Sequence, residues 1–162
     1  MDIRNRNRLI KEYAGDILHS SLFQRSFSQR HHYRTSVGKH SLQTARMGLW
    51  LCTFLKRRGI AIDERRLVRI ALLHDMGMLG RKHRYRNNLE CGYMHPKNSA
   101  DIARKIWPDI DRKSLKAIRS HMWPLSLAVP TSREAAVLCM ADKMAAVSDL
   151  ILSGKKMPPP GR

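Results

Sequence analysis

The apolar stretch "IALLHDMGML", residues 70–79, contains two adjacent polar residues, His74 and Asp75. Burying a polar or charged side chain is costly unless another group pairs with it, so this pair needs a partner. Four more residues lie on apolar helical stripes, at predicted helix ends or just before a helix: His40, His95, His121 and Asp142. Imidazole and carboxylate groups form the ligand set of Zn, Mn, Fe, Co and Ni, and helical bundles build such sites from inward-facing side chains. The six residues are therefore candidate ligands for one or two divalent transition-metal ions.

Two ions in one site would polarise a phosphoryl group and activate a water molecule. Each candidate ligand also has an ordinary explanation, which spacing alone does not exclude. His40 can be a first-turn residue with no special role, His95 a loop residue at the surface, and His121 a partner for a helix C-terminus. Asp75 can be a polar residue at a helix end, and Asp142 can pair with a nearby Lys or Arg.

The 162 residues are 43% hydrophobic and carry a net charge of +18, from 31 Lys and Arg against 13 Asp and Glu. The length and composition are typical of one globular domain, which we place at residues 1–152, followed by a flexible tail at 153–162. The charge predicts an anionic partner, either a phosphorylated small molecule or a nucleic acid. No apolar run reaches the roughly 18 residues of a membrane span, and no apolar signal region follows the N-terminus, so we expect a cytoplasmic protein.

The spacing of apolar residues predicts helices and no strands. The predicted helices are 7–19, 39–57, 64–75, 97–107, 111–121 and 133–152. Asp63 is expected to cap the helix 64–75, and Gly77 is expected to end it. Either Thr131 or Ser132 is expected to cap the helix 133–152. Residues 80–96 are polar and contain Gly, Asn and Pro, which predicts a long loop. The fold class is therefore an all-α bundle of about five or six helices.

The order of His40, the adjacent His74 and Asp75, and Asp142 resembles the signature of the HD-domain metal-dependent phosphohydrolases. The segments "HSLQTARMGLWL", "LVRIALLHDMG" and "CMADKMAAV" carry this resemblance. The intervening "MHPKNSADIA" and "IRSHMWPL" are similar to the segments that supply additional histidines in the two-metal subgroup. The similarity covers about residues 33–150 and implies a compact helical bundle of the HD type.

The resemblance also implies which residues bind which ion. The first ion would have four ligands, His40, His74, Asp75 and Asp142. The second ion would be held by the two intervening histidines, His95 and His121, with Asp75 bridging the two ions. Asp75 would therefore be the central residue of catalysis.

Basic residues near these ligands are candidates for phosphate recognition. Lys143, which follows the last ligand, is similar to a position that is often basic in the family; it either contacts phosphate during catalysis or is a solvated helix residue. Many members have Lys soon after the HD pair, but Met78 occupies that position here, so basic residues of the following loop are candidates to replace it. Arg34, which precedes the first ligand His40, either binds substrate phosphate or is a solvated loop residue. The candidate substrate-binding residues are Arg34, Arg81, Lys82, Arg84 and Arg86.

The leading functional hypothesis is a metal-dependent phosphohydrolase acting on a nucleotide or related phosphorylated small molecule, with phosphomonoesters ahead of phosphodiesters. The alternative is a regulatory module that binds a nucleotide or nucleic acid and keeps the fold without turnover. The six candidate ligands favour the enzyme, because a binding module does not need two ions. The net charge of +18 favours the alternative.

Overall fold

The computed structural model describes residues 1–30 and 35–154, with side chains to residue 151. Within these residues the regular structure is helical, apart from one isolated bridge between Arg30 and Ser36. The described residues form eight α-helices: α1 (Ile3–His19), α2 (Ser21–Arg25), α3 (Val37–Lys56), α4 (Glu64–Leu73), α5 (Arg81–Arg84), α6 (Asn88–Ile106), α7 (Arg112–Ser120) and α8 (Arg133–Gly154). This confirms the all-α prediction. The count exceeds five or six because the short α2 and α5 form in segments predicted to be irregular. Most of the predicted tail lies outside the described residues.

Side-chain caps fix the starts of several helices. Asp63 caps α4 by accepting a hydrogen bond from the Arg66 N–H at 2.8 Å, as predicted. Of the two candidates before α8, it is Ser132 whose Oγ accepts from the Ala135 N–H, at 3.1 Å. Each such cap satisfies a backbone donor that the helix cannot, and typically contributes about 1 kcal/mol.

The helix α6 begins at Asn88, so the prediction that residues 80–96 form a loop and that the helix starts after Pro96 is wrong. Asn87 caps the helix by accepting from the Glu90 N–H at 2.8 Å. Pro96 lies inside α6, although a proline removes one helical hydrogen bond and crowds the preceding turn. Packing outweighs this cost, because α6 buries one face against α7 and the turn that follows α4. The extension places His95 within a helix rather than on a loop.

At the centre of the core lies α4, in which every residue from Leu67 to Leu73 is buried. It packs against α1, α3, α7 and α8, which explains why its apolar residues run without a polar stripe. The polar exception is Arg69, whose guanidinium donates two hydrogen bonds of 2.7 Å to Asp16. Among the described residues, no helix is long and apolar enough to cross a membrane.

Candidate metal centre

His74 and Asp75 lie at the break between α4 and a single turn of 3-10 helix, Met76–Met78. Both side chains are buried, with 0% and 3% of their surface exposed. The Nδ1–H of His74 donates to the Ala71 carbonyl oxygen at 2.8 Å. The last carbonyl groups of a helix have no helical partner, so this bond satisfies one of them and fixes the imidazole ring. The buried end of α4 thus delivers both polar side chains to one point inside the protein.

His95 and His121 are held in the same way. His121 follows the last residue of α7, and its Nδ1–H donates to the Ile118 carbonyl oxygen at 2.7 Å. In α6, the Nδ1–H of His95 donates to the Cys91 carbonyl oxygen at 2.8 Å. A carbonyl oxygen can only accept, so the ring proton is on Nδ1, and a neutral ring then has a lone pair on Nε2. The fold therefore selects the tautomer that binds a metal through Nε2.

The Nε2 atoms of His74, His95 and His121 converge on a buried point that suits a cation. The Nε2 atoms of His95 and His121 lie 3.0 Å apart, and two lone pairs at this distance repel unless a proton or a cation lies between them. The Nε2 atom of His74 is buried and forms no hydrogen bond, although carboxylate oxygens of Asp75 and Asp142 lie 3.4 Å from it. A divalent metal ion would relieve both problems, so the residues fit the metal that the sequence predicts.

Asp75 lies between two pairs of histidines. Its Oδ1 is 3.2 Å from the Nε2 of His95 and 3.4 Å from that of His121. Its Oδ2 is 3.4 Å from the Nε2 of His74 and 3.9 Å from that of His40. One oxygen of the carboxylate faces each pair, which is the arrangement that a bridging ligand requires.

Asp142 completes the cluster from the middle of α8. Its Oδ1 is 2.9 Å from the Nε2 of His40 and 3.4 Å from the Nε2 of His74, so imidazole groups compensate the carboxylate in its apolar surroundings. The six side chains form three overlapping groups of three, and within each group the possible ligand atoms lie within 4.8 Å of one another. Ligand bonds to zinc are about 2.0–2.3 Å long, so each group is compact enough for one ion.

The protonation of the cluster reflects these contacts. Burial lowers the pKa of His40, but the hydrogen bonds to Asp142 and Asp149 outweigh it and raise this pKa to about 9. Burial also opposes the charge on His74, yet the attraction of Asp75 holds its pKa well above the usual value. Burial lowers the pKa of His121. Burial would raise the pKa of Asp142, but the contacts with His40 and His74 hold it far below the usual value. A metal ion must displace protons from this cluster.

One residue of the cluster, Asp149, was not among the predicted site residues. Its Oδ2 is 3.0 Å from the Nδ1 of His40, whereas the other three histidines use backbone carbonyls at this position. A carboxylate behind a metal-binding imidazole orients the ring and raises its basicity. The sequence signal is the spacing from Asp142, because seven residues are close to two full helical turns and place both aspartates on one face of α8.

Replacing Asp149 with Ala is expected to weaken metal binding about 10–100-fold, as is typical when the partner of a metal-binding histidine is lost. Asp149→Asn should lie between wild type and Ala, because the amide oxygen still accepts from the His40 Nδ1–H. Isothermal titration of chelator-treated protein with Mn²⁺ or Zn²⁺ measures the effect. Asp101→Asn, which removes an exposed carboxylate of α6, is the control. Equal affinities in all four proteins would exclude a role for Asp149.

A cavity of about 380 Å³ opens onto the cluster. Three predicted ligands contribute to its floor: Asp75, His95 and Asp142. The rest of the lining combines cations with apolar groups and includes Lys143, Arg81, Met78, Met122 and Leu125. The cavity, termed the metal pocket below, would give a substrate access to metal ions bound by the cluster.

The predicted substrate-binding residues are only partly brought together. Arg81 lines the metal pocket, and Lys82 and Arg86 line a second cavity next to it. Arg84 is exposed and belongs to the lining of neither cavity. Arg34 lies outside the described residues. Lys143 lines the metal pocket, and its ammonium donates to the carbonyl oxygens of His121 and Cys139 at 3.4 and 3.3 Å.

Replacing either His95 or His121 with Ala is expected to lower the metal content from two ions per chain to one. Both side chains are within 3.4 Å of the same oxygen of Asp75, whereas His40 and His74 face the other oxygen. Elemental analysis of protein purified without chelator gives the ratio, and circular dichroism shows that the fold is retained. His83→Ala, at an exposed position of α5, controls for loss of a histidine. Two ions in both site variants would refute the dinuclear assignment.

The HD domain family model matches residues 37–147, which is more than half of the chain. The match includes all six predicted ligands, while Asp149 lies just beyond it. No curated protein and no solved structure shows a significant match. HD domains bind divalent metals and are generally metal-dependent phosphohydrolases, which agrees with the His and Asp groups able to hold a metal here. The chain belongs to the HD domain family.

Proposed function

We propose that this protein hydrolyses phosphate esters of nucleotides or related phosphorylated small molecules in a metal-dependent reaction, with phosphomonoesters preferred to phosphodiesters. The observation that carries the proposal is the position of Asp75, which lies between two pairs of imidazoles at the floor of an accessible pocket. One or two divalent transition-metal ions, among Mn, Fe, Co, Ni and Zn, suit this mixed His and Asp ligand set.

The metal ions, when bound, supply Lewis acidity toward the phosphoryl group and an activated water molecule. The cations of the pocket hold the phosphate in place. An ammonium group has three N–H donors, and Lys143 uses two of them on carbonyl oxygens, which leaves one for a phosphate oxygen. Arg81 donates to the Asn88 side-chain oxygen at 2.6 Å, so its guanidinium is held at the pocket wall. Both groups would offset the charge that develops on the phosphoryl oxygens.

The size and lining of the metal pocket favour a substrate with one organic group. Its volume of about 380 Å³ lies near the lower end of the range for small-molecule sites, roughly 300–1,000 Å³. Met78, Met122 and Leu125 give it apolar walls, against which a nucleoside or another organic group would pack. The metal pocket by itself offers little room for a second nucleoside, and this supports phosphomonoesters as the first choice.

Chelator-treated protein is expected to release no phosphate, and Mn²⁺ or another transition metal should restore turnover better than Mg²⁺, which prefers oxygen ligands. The assay measures phosphate release from mononucleotides and product formation from cyclic and dinucleoside phosphodiesters. Asp101→Asn serves as a control that retains the ligand set. Fully metallated protein that turns over none of these esters would refute the proposal.

The binding-module alternative is supported by the distribution of charge. The net charge is +18, and one cationic cluster lies on α6 and α7, away from the predicted ligands: Arg104, Arg112, Lys116 and Arg119. On α3, the exposed rings of Trp50 and Phe54 stack, and the Arg58 guanidinium lies 3.6 Å from the centre of the Phe54 ring. Exposed aromatic and basic groups can bind single-stranded nucleic acid. Tight, salt-dependent binding of an oligonucleotide without any turnover would favour this alternative.

A further inference from the structure

A second cavity, of about 480 Å³, adjoins the metal pocket along α6. Arg81, Asn88 and Cys91 line both cavities, so a ligand in the metal pocket can extend into the second one. The second cavity is termed the basic groove. The rest of its described lining is Gln29, Arg30, Lys82, Tyr85, Arg86 and Asn87.

The basic groove is strongly cationic. Four of its lining residues carry a positive charge, Arg30, Arg81, Lys82 and Arg86, and no Asp or Glu occurs in the lining that the structure describes. The nearest acidic side chain along the chain, Glu90, accepts a hydrogen bond from the Arg86 backbone N–H at 2.7 Å and is not part of the lining. Cations that surround one cavity repel each other, and an anion placed among them relieves this repulsion.

Its distance from the metal pocket limits the kind of anion. His95 contributes to the metal pocket, Cys91 lies one helical turn before it in α6, and Asn88 lies almost two turns before it. At 1.5 Å per residue, the groove begins about 6–10 Å along the helix from the metal-facing imidazole. Two phosphorus atoms joined by one bridging oxygen are too close together to occupy both places. Two phosphates on opposite sides of a ribose are far enough apart.

We propose that the basic groove binds a second phosphate of the substrate, separated by a ribose from the phosphate that lies in the metal pocket. This rests on the proposed function for the position of the first phosphate. Two sources offer the same chemistry: a free nucleoside 3′,5′-bisphosphate and the 5′-phosphorylated end of an oligonucleotide. Both carry a terminal phosphate and, one ribose away, a second phosphate.

The test compares adenosine 5′-monophosphate, adenosine 3′,5′-bisphosphate and the 5′-phosphorylated dinucleotide pApA, at one ionic strength, with the metal-loaded full-length chain. Calorimetry gives Kd, and kcat/KM replaces it for any ligand that is hydrolysed. One added charge-assisted contact predicts that the ligands with two phosphates are preferred about tenfold or more. The groove variant Lys82→Ser/Arg86→Ser should lose this preference. The control Arg4→Ser/Lys11→Ser removes the same charge from exposed positions of α1 and should keep this preference.

The outcomes separate the inference from the proposed function. A preference for the bisphosphate identifies a free nucleotide, and a preference for pApA identifies an oligonucleotide end; either supports the inference if only the groove variant loses it. Equal values for all three ligands, or equal losses in the groove and control variants, overturn the inference. Absence of phosphate release overturns the proposed function alone, because Kd still reports on the groove.

Discussion

Asp75→Asn is expected to abolish phosphate-ester hydrolysis, by at least about a thousandfold, which exceeds the 10–100-fold typical of residues that merely support a ligand. The substitution keeps the shape of the side chain but removes its charge, and it replaces one oxygen by an NH2 group. Because each oxygen of Asp75 faces a different pair of histidines, either orientation of the amide deprives one pair of its carboxylate oxygen. The metal content should fall to one ion per chain or less, and elemental analysis alongside the activity assay measures both effects.

The control for this prediction is Asp101→Asn, which neutralises an exposed carboxylate on α6 and should retain both the metal ions and the activity. Thermal unfolding followed by circular dichroism distinguishes loss of metal from loss of fold. An Asp75→Asn variant that still carries two ions would show that Asp75 does not bridge, and the dinuclear site would have to be abandoned.

Three candidate ligands, His74, Asp75 and Asp142, could be found in the sequence because each is a polar residue where an apolar one would be expected. The second half of α4, from Leu67 to Leu73, is buried on all sides, so His74 and Asp75 at its end need compensation, and Asp142 needs it among the apolar residues of α8. The structure brings them together with His40, His95 and His121, although their binding of metal remains a prediction. The helical fold was equally accessible, since amphipathic spacing and caps such as Asp63 are local signals.

Features that depend on contacts between distant segments could not be predicted from local sequence signals. The polar residues before Pro96 suggest a loop, but packing of α6 on the turn after α4 extends the helix to Asn88. The apolar spacing within residues 39–57 would place Trp50 in the core, but 42% of its surface is exposed because it lies on the outer side of α3. The basic groove could be predicted only in part, because its cations Arg81, Lys82 and Arg86 are close together in the sequence whereas Arg30 comes from a distant segment.

Gly77 shows how a local signal can be right about a residue and wrong about its role. The sequence predicts that Gly77 ends the helix, but α4 ends at Leu73 and Gly77 lies inside the following 3-10 turn. Its N–H donates to the Ser99 Oγ at 2.8 Å, and its carbonyl accepts from the Tyr85 hydroxyl at 2.8 Å. The turn therefore lies directly on the backbone of α6. A glycine is required here by close approach.

Gly77→Ala is expected to destabilise the protein by about 1–3 kcal/mol, the usual cost of overpacking. An added Cβ would collide with the His95 carbonyl oxygen and lie 2.7 Å from the Ser99 backbone nitrogen. Backbone atoms cannot rotate away as a flexible side chain does, so the turn and α6 must separate. For a chain of this size the midpoint of thermal unfolding should fall by roughly 2–12 °C. Because the turn follows Asp75 and α6 carries His95, the second metal ion should also be lost.

Gly92→Ala is the matched control, because it adds the same methyl group to α6 at a position where, apart from the adjacent backbone of the helix, no atom lies within 4 Å of the new Cβ. Its unfolding midpoint should equal or exceed that of the wild type, since Ala is favoured over Gly inside a helix by up to about 1 kcal/mol. Differential scanning calorimetry of the metal-free proteins measures the packing effect separately from metal binding, and elemental analysis of the untreated proteins measures the site. If Gly77→Ala unfolds at the wild-type temperature and keeps two ions, the turn and α6 can separate freely. The position of Asp75 relative to His95 would then not depend on this close contact.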